Sequence, residues 1–265
     1  MKKTCVNLLL VLVLLSGLVF DVVAQGDEFV NYKRAFATRT TLKQSIAQLK
    51  SRDGERFHDV ERANSLVFAK ITQAVRPLSD ETRAALSLTK SIYGMENLLD
   101  VSRNEVEVAY GDATLWMAVL RIKKPMMLRE TQPDRGVYLM LRPIGRRGDT
   151  PIFVIEFYCT IENVGLQRVL QDAVECATKL NDFTESEDII EEIGRHWSHT
   201  GDWNEEKHTV ALSYIRGLAC WDMGDHERAE KYLEAAERYI NSRPDDVLSS
   251  AMTVGLETMG RTARK

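Results

Sequence analysis

Apolar residues recur at two different periods along this chain, and the changes of period divide it into segments. Val60, Ala63, Val67, Ile71 and Ala74 stand three or four apart. That spacing predicts a helix, closed at Arg76-Pro77 because the residue before a proline is pushed out of the helical region. A second helix is expected directly after it. Ser79 is its N-cap, Asp80 and Glu81 fill the first turn, and Ala85, Leu88, Ile92, Met95 and Leu99 form its stripe. The period then drops to two. Val106, Val108 and Tyr110 alternate with Glu105, Glu107 and Ala109, and Gly111-Asp112 separates them from the apolar run Thr114 to Ile122, which together predict a hairpin. Val137 to Leu141 and Ile152 to Cys159 predict two more strands joined by the Pro- and Gly-rich loop RPIGRRGDTP. Four successive strands predict an antiparallel meander with one face covered by the flanking helices.

From Gly165 the helical period returns and persists. Leu166, Val169, Leu170, Ala173, Val174, Ala177 and Leu180 make one stripe, and FTESEDIIEEI restarts it with Thr184 or Ser186 as cap. Further helices are expected over Asn204 to Met223, Glu227 to Ile240 and Val247 to Met259, the last ended by Gly260. The expected fold class is therefore α+β: N-terminal helices, a four-stranded antiparallel sheet, then C-terminal helical hairpins. The expected divisions are a signal peptide over 1–24, an α+β domain over 25–164 and a helical domain over 165–265.

The first division rests on Lys2 and Lys3 ahead of the apolar run Val6 to Phe20, with small residues at Val22-Val23-Ala24; cleavage is expected after Ala24. The run is short of the roughly 20 residues that cross a bilayer, so export is favoured over an uncleaved anchor. An exported protein meets an oxidising compartment, which permits a bridge such as Cys159 to Cys176. A domain of this size does not need one, and Cys159, Cys176 and Cys220 also suit buried apolar positions.

The whole chain carries 35 basic and 39 acidic residues, a net charge of −4, which argues against nucleic acid as a partner. The charge is unevenly spread. Arg121 to Arg147 holds eight basic and two acidic residues, whereas Asn181 to Asp246 holds seven and seventeen. Arg142, Arg146 and Arg147 are therefore candidate binding residues, and the basic segment 121–147 is a candidate contact with an anionic membrane surface or an acidic protein.

Gly-Asp pairs at 201–202 and 224–225 each stand between two predicted helices. Ile190, Ile193, Gly194 and Trp197 before the first pair, and Gly217, Ala229, Leu233 and Ala236 around the second, resemble the tetratricopeptide repeat, a 34-residue helix-turn-helix unit. The resemblance covers Glu187 to Asn241. It departs from the family in that the corners are 23 residues apart, Ser213 and Arg216 replace bulky apolar residues, and Glu206 replaces a small one. It implies a protein-binding scaffold rather than catalysis.

The stretch HWSHTGDWNEEKH, residues 196–208, carries three of the chain's five histidines and two of its four tryptophans. His196, His199 and His208 could ligate a metal in a hydrolase, but Gly201-Asp202-Trp203 interrupts the helix between them and no HExxH or paired-Cys motif accompanies them. The favoured reading is a structural corner clamped by Trp197 and Trp203, which are also the candidate binding residues of the helical half. Ser87-Leu88-Thr89-Lys90 fits S-x-x-K without the companion elements of that class. No metal, cofactor or catalytic residue is expected. The expected function is that of an exported, non-enzymatic module that presents a helical groove or a sheet edge to another protein, with a metal-dependent hydrolase at the histidine corner as the alternative.

Overall fold

From Ser65 onwards, the segment expected to form the first helix is instead a strand. The computed structural model describes residues 39–50, 65–88, 97–110, 113–147 and 150–261; the expected signal segment 1–24 with its cleavage point, Val60 and Ala63 of the first expected helix, and Ile92 and Met95 of the second lie outside the described residues. Strand β1 spans Ser65–Pro77. Leu66, Val67, Phe68 and Ala69 are all buried, so consecutive residues are covered on both faces of the strand. A strand buried on both faces loses the alternation that would identify it, and the helical spacing of Val67 and Ile71 is then coincidental.

The sheet is a closed barrel of five strands, not an open four-stranded meander. With β2 at Ser102–Tyr110, β3 at Ala113–Leu120, β4 at Gly136–Arg147 and β5 at Thr150–Thr160, the order around the barrel is β1-β2-β3-β5-β4. Residues 65–70 of β1 pair antiparallel with β4, and residues 70–77 pair antiparallel with β2. One strand serves both neighbours because it bends at an irregularity between Ile71 and Val75. Gln73 takes a left-handed conformation there, φ 62°, and its amide donates to the carbonyls of Leu128 and Thr131. The barrel closes through a short parallel pairing of β3 with β5, Ala118 beside Val154 and Val119 beside Ile155. The sheet is thus mixed, and most of the expected loop RPIGRRGDTP belongs to the β4 and β5 strands. The run β4-β1-β2-β3 within this order is a Greek key.

Val67, Ile71, Val106, Val108, Met117, Leu139, Leu141, Phe153 and Ile155 fill the interior. Leu42 of α1, Leu42–Lys50, and Met127 of α4, Lys124–Glu130, both fully buried, belong to the same cluster. The expected cap Ser79 does start a helix, α2, at Asp80–Ser87, its hydroxyl accepting from Thr82 N–H. The helix ends there, and the short α3 follows at Leu98–Val101. Leu86 and Leu98 from these helices cover Ile144, Ile152 and Val154 on the outer barrel wall.

The second cover is the helical layer. After the short α5, Ile161–Val164, come α6 (Leu166–Thr178), α7 (Phe183–Trp197), α8 (Glu205–Asp222), α9 (His226–Ser242) and α10 (Val247–Thr258). Two hairpins form, α6 on α7 and α8 on α9. Ser186 Oγ donates to Ala173 carbonyl across the first at 2.7 Å. In the second, a side chain at Gly217 would come within 2.6 Å of Leu233. The Gly224 corner therefore closes a hairpin, while the Gly201 corner links one hairpin to the next. That difference accounts for the short separation of the two Gly-Asp pairs. Barrel and layer lie in one compact unit, Thr40–Lys265. Among the described residues no helix is long and apolar enough to cross a membrane.

Candidate functional site

Helix α7 joins the two layers through acids on its inner face. Glu185 and Glu192 are seven apart, two turns of helix, so they share a face with Ile189. Glu185 is fully buried and accepts from Phe68 N–H at 2.8 Å. Phe68 pairs with Tyr138 of β4 on one side, while β2 begins its pairing with β1 only at Lys70. The carboxylate therefore satisfies a strand N–H that lies beyond the reach of β2. Glu192 accepts from Gly136 N–H at 3.1 Å and pairs with Arg135 and Arg195. Lys70 meets Asp188 at 3.2 Å. These acids were visible in the sequence as charges among isoleucines on an amphipathic helix, but their partners, about 60 to 120 residues away, were not.

The histidine corner sits at the edge of this seam. His196 Nδ1 lies 2.9 Å from Glu162 of α5, and its ring is edge-on to Trp197 and His199. His208 faces elsewhere: its Nδ1 and the Trp203 indole both lie over Gly194, 3.5 and 3.4 Å from where a Cβ would stand. Among the described residues, no group of three or more histidines, cysteines, aspartates or glutamates is placed to hold a metal ion. Gly201, at φ 79°, turns the chain in the left-handed conformation that favours glycine, and Asn204 caps α8 by accepting from Lys207 N–H. Trp203 is buried and Trp197 half-buried. Trp203 thus packs the corner and offers no ring face to a partner.

The arginines of β4 separate. Arg142 is buried, its Nε 2.5 Å from Glu156 of β5, which is also buried. Arg146 is half-buried, and Arg147 ends the strand. Arg142, being buried, is not part of an exposed basic patch. On the β1–β2–β3 wall, Arg76 stacks over the Trp116 ring at 3.8 Å and bonds the fully buried Glu105 at 2.5 Å. Thr82 of α2 also donates to Glu105, at 2.8 Å. Thr82, in the β1–β2 connection, thus engages this wall. No bridge joins Cys159 to Cys176; both are buried, and Cys220 is partly exposed.

A groove of about 560 Å³ lies between the two hairpins of the helical layer. Ala177 and Ala219 form its floor, Phe183 and Tyr232 its walls, and Cys220 and Met223 extend it towards the Gly224 corner. Met223 is 70% exposed, an unusual cost for a large apolar side chain beside a recess. Arg216, bound to Glu187 at 3.1 Å, and Asp222 stand at the rim. Sequence patterning did not find this groove, because it is made by the ends of helices far apart in the chain. The chain matches no protein-family model, no curated protein and no solved structure.

Proposed function

We propose that this is an exported, non-enzymatic interaction module whose helical layer holds a segment of another protein of the cell envelope. The groove between the α6/α7 and α8/α9 hairpins carries this reading: it is concave, its floor and walls are largely apolar, and Met223 is left at its mouth without cover. A bulky apolar side chain on the partner would seat between Phe183 and Tyr232, in the manner of a helix or extended segment laid into a hydrophobic groove. The close approach of Gly217 to Leu233 and the burial of Ala229 and Ala236 support the reading, because the tetratricopeptide resemblance of these residues implies a protein-binding scaffold. A sheet edge is no longer among the candidates, since the barrel is closed.

The test is site-specific photo-cross-linking in the envelope of the source organism. A photoreactive residue at Met223 should give one discrete protein adduct, and Phe183→Ala with Tyr232→Ala should abolish it. The same residue at Glu234, exposed on α9, should give none. An adduct formed equally from both positions, or from neither, would defeat the proposal.

A further inference from the structure

The run RIKKPMMLR forms the β3–α4 corner of the barrel, and its side chains are arranged unlike any other part of the surface described. Ile122 stands on the turn between Leu120 and Lys123, where Lys123 N–H bonds Leu120 carbonyl at 3.0 Å. It is 76% exposed, more than any other large apolar side chain among the described residues. Met126, one turn further along at the start of α4, is 38% exposed. Cations surround this apolar tip. Arg121 follows directly on β3, and its N–H bonds Val101 carbonyl, which brings the Arg103 end of β2 alongside. Lys124 reaches Asn104 at 2.9 Å, and Arg129 is 75% exposed on the last turn of α4. The nearby acids are few: Asp100 of α3, and Glu130, which is engaged by Arg129 at 3.6 Å and by the Tyr158 hydroxyl at 2.5 Å. The other arginines of the basic segment are taken up elsewhere, Arg135 by Glu192 and Arg142 by Glu156.

We propose that the β3–α4 corner is a docking point for an anionic lipid bilayer, with Ile122 and Met126 entering the headgroup region and Arg103, Arg121, Lys124 and Arg129 meeting lipid phosphates. The shape selects this partner. An apolar side chain at the apex of a convex turn, ringed by cations, has no complementary pocket to fill on a flat acidic protein. A bilayer accepts it without one, and pairs the cations with its surface charge. The proposal does not depend on the groove between the helical hairpins.

The experiment uses the full chain with vesicles of phosphatidylcholine, with and without phosphatidylglycerol, at low and high salt. The phosphatidylglycerol-dependent part of binding should fall roughly 25-fold in the Arg121→Gln, Arg129→Gln double variant, at about fivefold per cation, and should vanish at high salt. Ile122→Ser should weaken it about tenfold at unchanged charge. A local readout separates this corner from any apolar contribution of the N-terminal segment. Ile122→Trp should add fluorescence that lipids brominated on their upper acyl chain quench, whereas Met223→Trp should add none that they quench. The proposal fails if phosphatidylglycerol brings no added binding, if the double variant binds as the parent does, or if the fluorescence added by Ile122→Trp escapes quenching. Sensitivity to charge without sensitivity to Ile122→Ser would likewise overturn it, because the tip would then not enter the bilayer.

Discussion

Tyr214 shows how one side chain can be fixed from several directions. It is fully buried within α8 and donates its hydroxyl to Met252 carbonyl on α10 at 2.9 Å. Burial pushes that hydroxyl well above the ordinary tyrosine range, which keeps it a neutral donor at neutral pH. The contact is possible only because α10 carries a glycine where it crosses the ring: a Cβ at Gly255 would stand 1.7 Å from the hydroxyl oxygen and 3.0 Å from the ring carbon bearing it. Gly255 is helical, so its value lies in space and not in backbone freedom. Gly255→Ala should destabilise the protein by about 1–3 kcal/mol through overpacking. Adding Tyr214→Phe, which removes the clashing oxygen, should restore part of that loss even though it deletes a hydrogen bond. Urea unfolding of the two single variants and the double variant measures this directly. Strictly additive losses would show that the close approach is not what constrains the site.

Among elements, α10 depends on the residue that caps it. Asp246 caps it by accepting from Leu248 N–H at 2.9 Å, and reaches Lys207 at the start of α8 at 2.6 Å. Partial burial works against ionisation, but the Lys207 bond and the Leu248 N–H outweigh it, so the carboxyl is held below the usual aspartate range. A carboxyl that ionises more readily in the fold than in the unfolded chain stabilises the fold fully above the unfolded value. That contribution is lost as the pH falls through the folded one. Asp246→Asn keeps a capping oxygen and removes only the charge. It should cost roughly 1 kcal/mol at pH 7, and the difference from the parent should shrink below about pH 4. A difference unchanged from neutral to acid pH would mean that the Lys207 pair contributes nothing.

The same elements show what patterning could and could not reveal. The helices after Gly165 were readable because each has one buried stripe and one wet one, whereas β3, buried on both faces from Met117 to Leu120, was readable only as an apolar run following the Gly111-Asp112 break. β1 was not, because Phe68 is buried under the helical layer while Val67 faces the barrel interior, leaving no polar face to set a period. Arg142 read as a surface cation for a related reason: Glu156, which neutralises it, lies on the neighbouring strand and carries no mark of the pairing. The barrel itself follows from pairings such as Phe68 with Tyr138 and Val119 with Ile155, which no local window contains. His196 and His199, three apart at the end of one helix, have ring centres 5.8 Å apart, but that His208 turns towards Gly194 depends on the chain reversal at Gly201.

At the scale of the whole molecule, the change of architecture after β5 need not be a boundary of folding. Glu185 and Glu192 belong to the helical layer by sequence, yet each accepts a backbone N–H of the barrel, from β1 and from the first residue of β4. Without them those donors would be buried and unpaired, at about 1–3 kcal/mol each. The layer in turn covers the Phe68–Tyr138 pair, whose ring centres are 5.0 Å apart on the outer wall. Neither half is complete alone, so the two should unfold together. Native-state hydrogen exchange should assign the Phe68 amide in β1 and the central amides of α7 the same opening free energy, equal to that of global unfolding. In the Glu185→Ala, Glu192→Ala double variant the shared value should fall, and the β1 amides should begin to open before those of α8 and α9, which keep each other covered through Gly217 and Leu233. If the barrel amides of the parent already open at lower denaturant than the helices, the seam is only a contact between two independently folding halves.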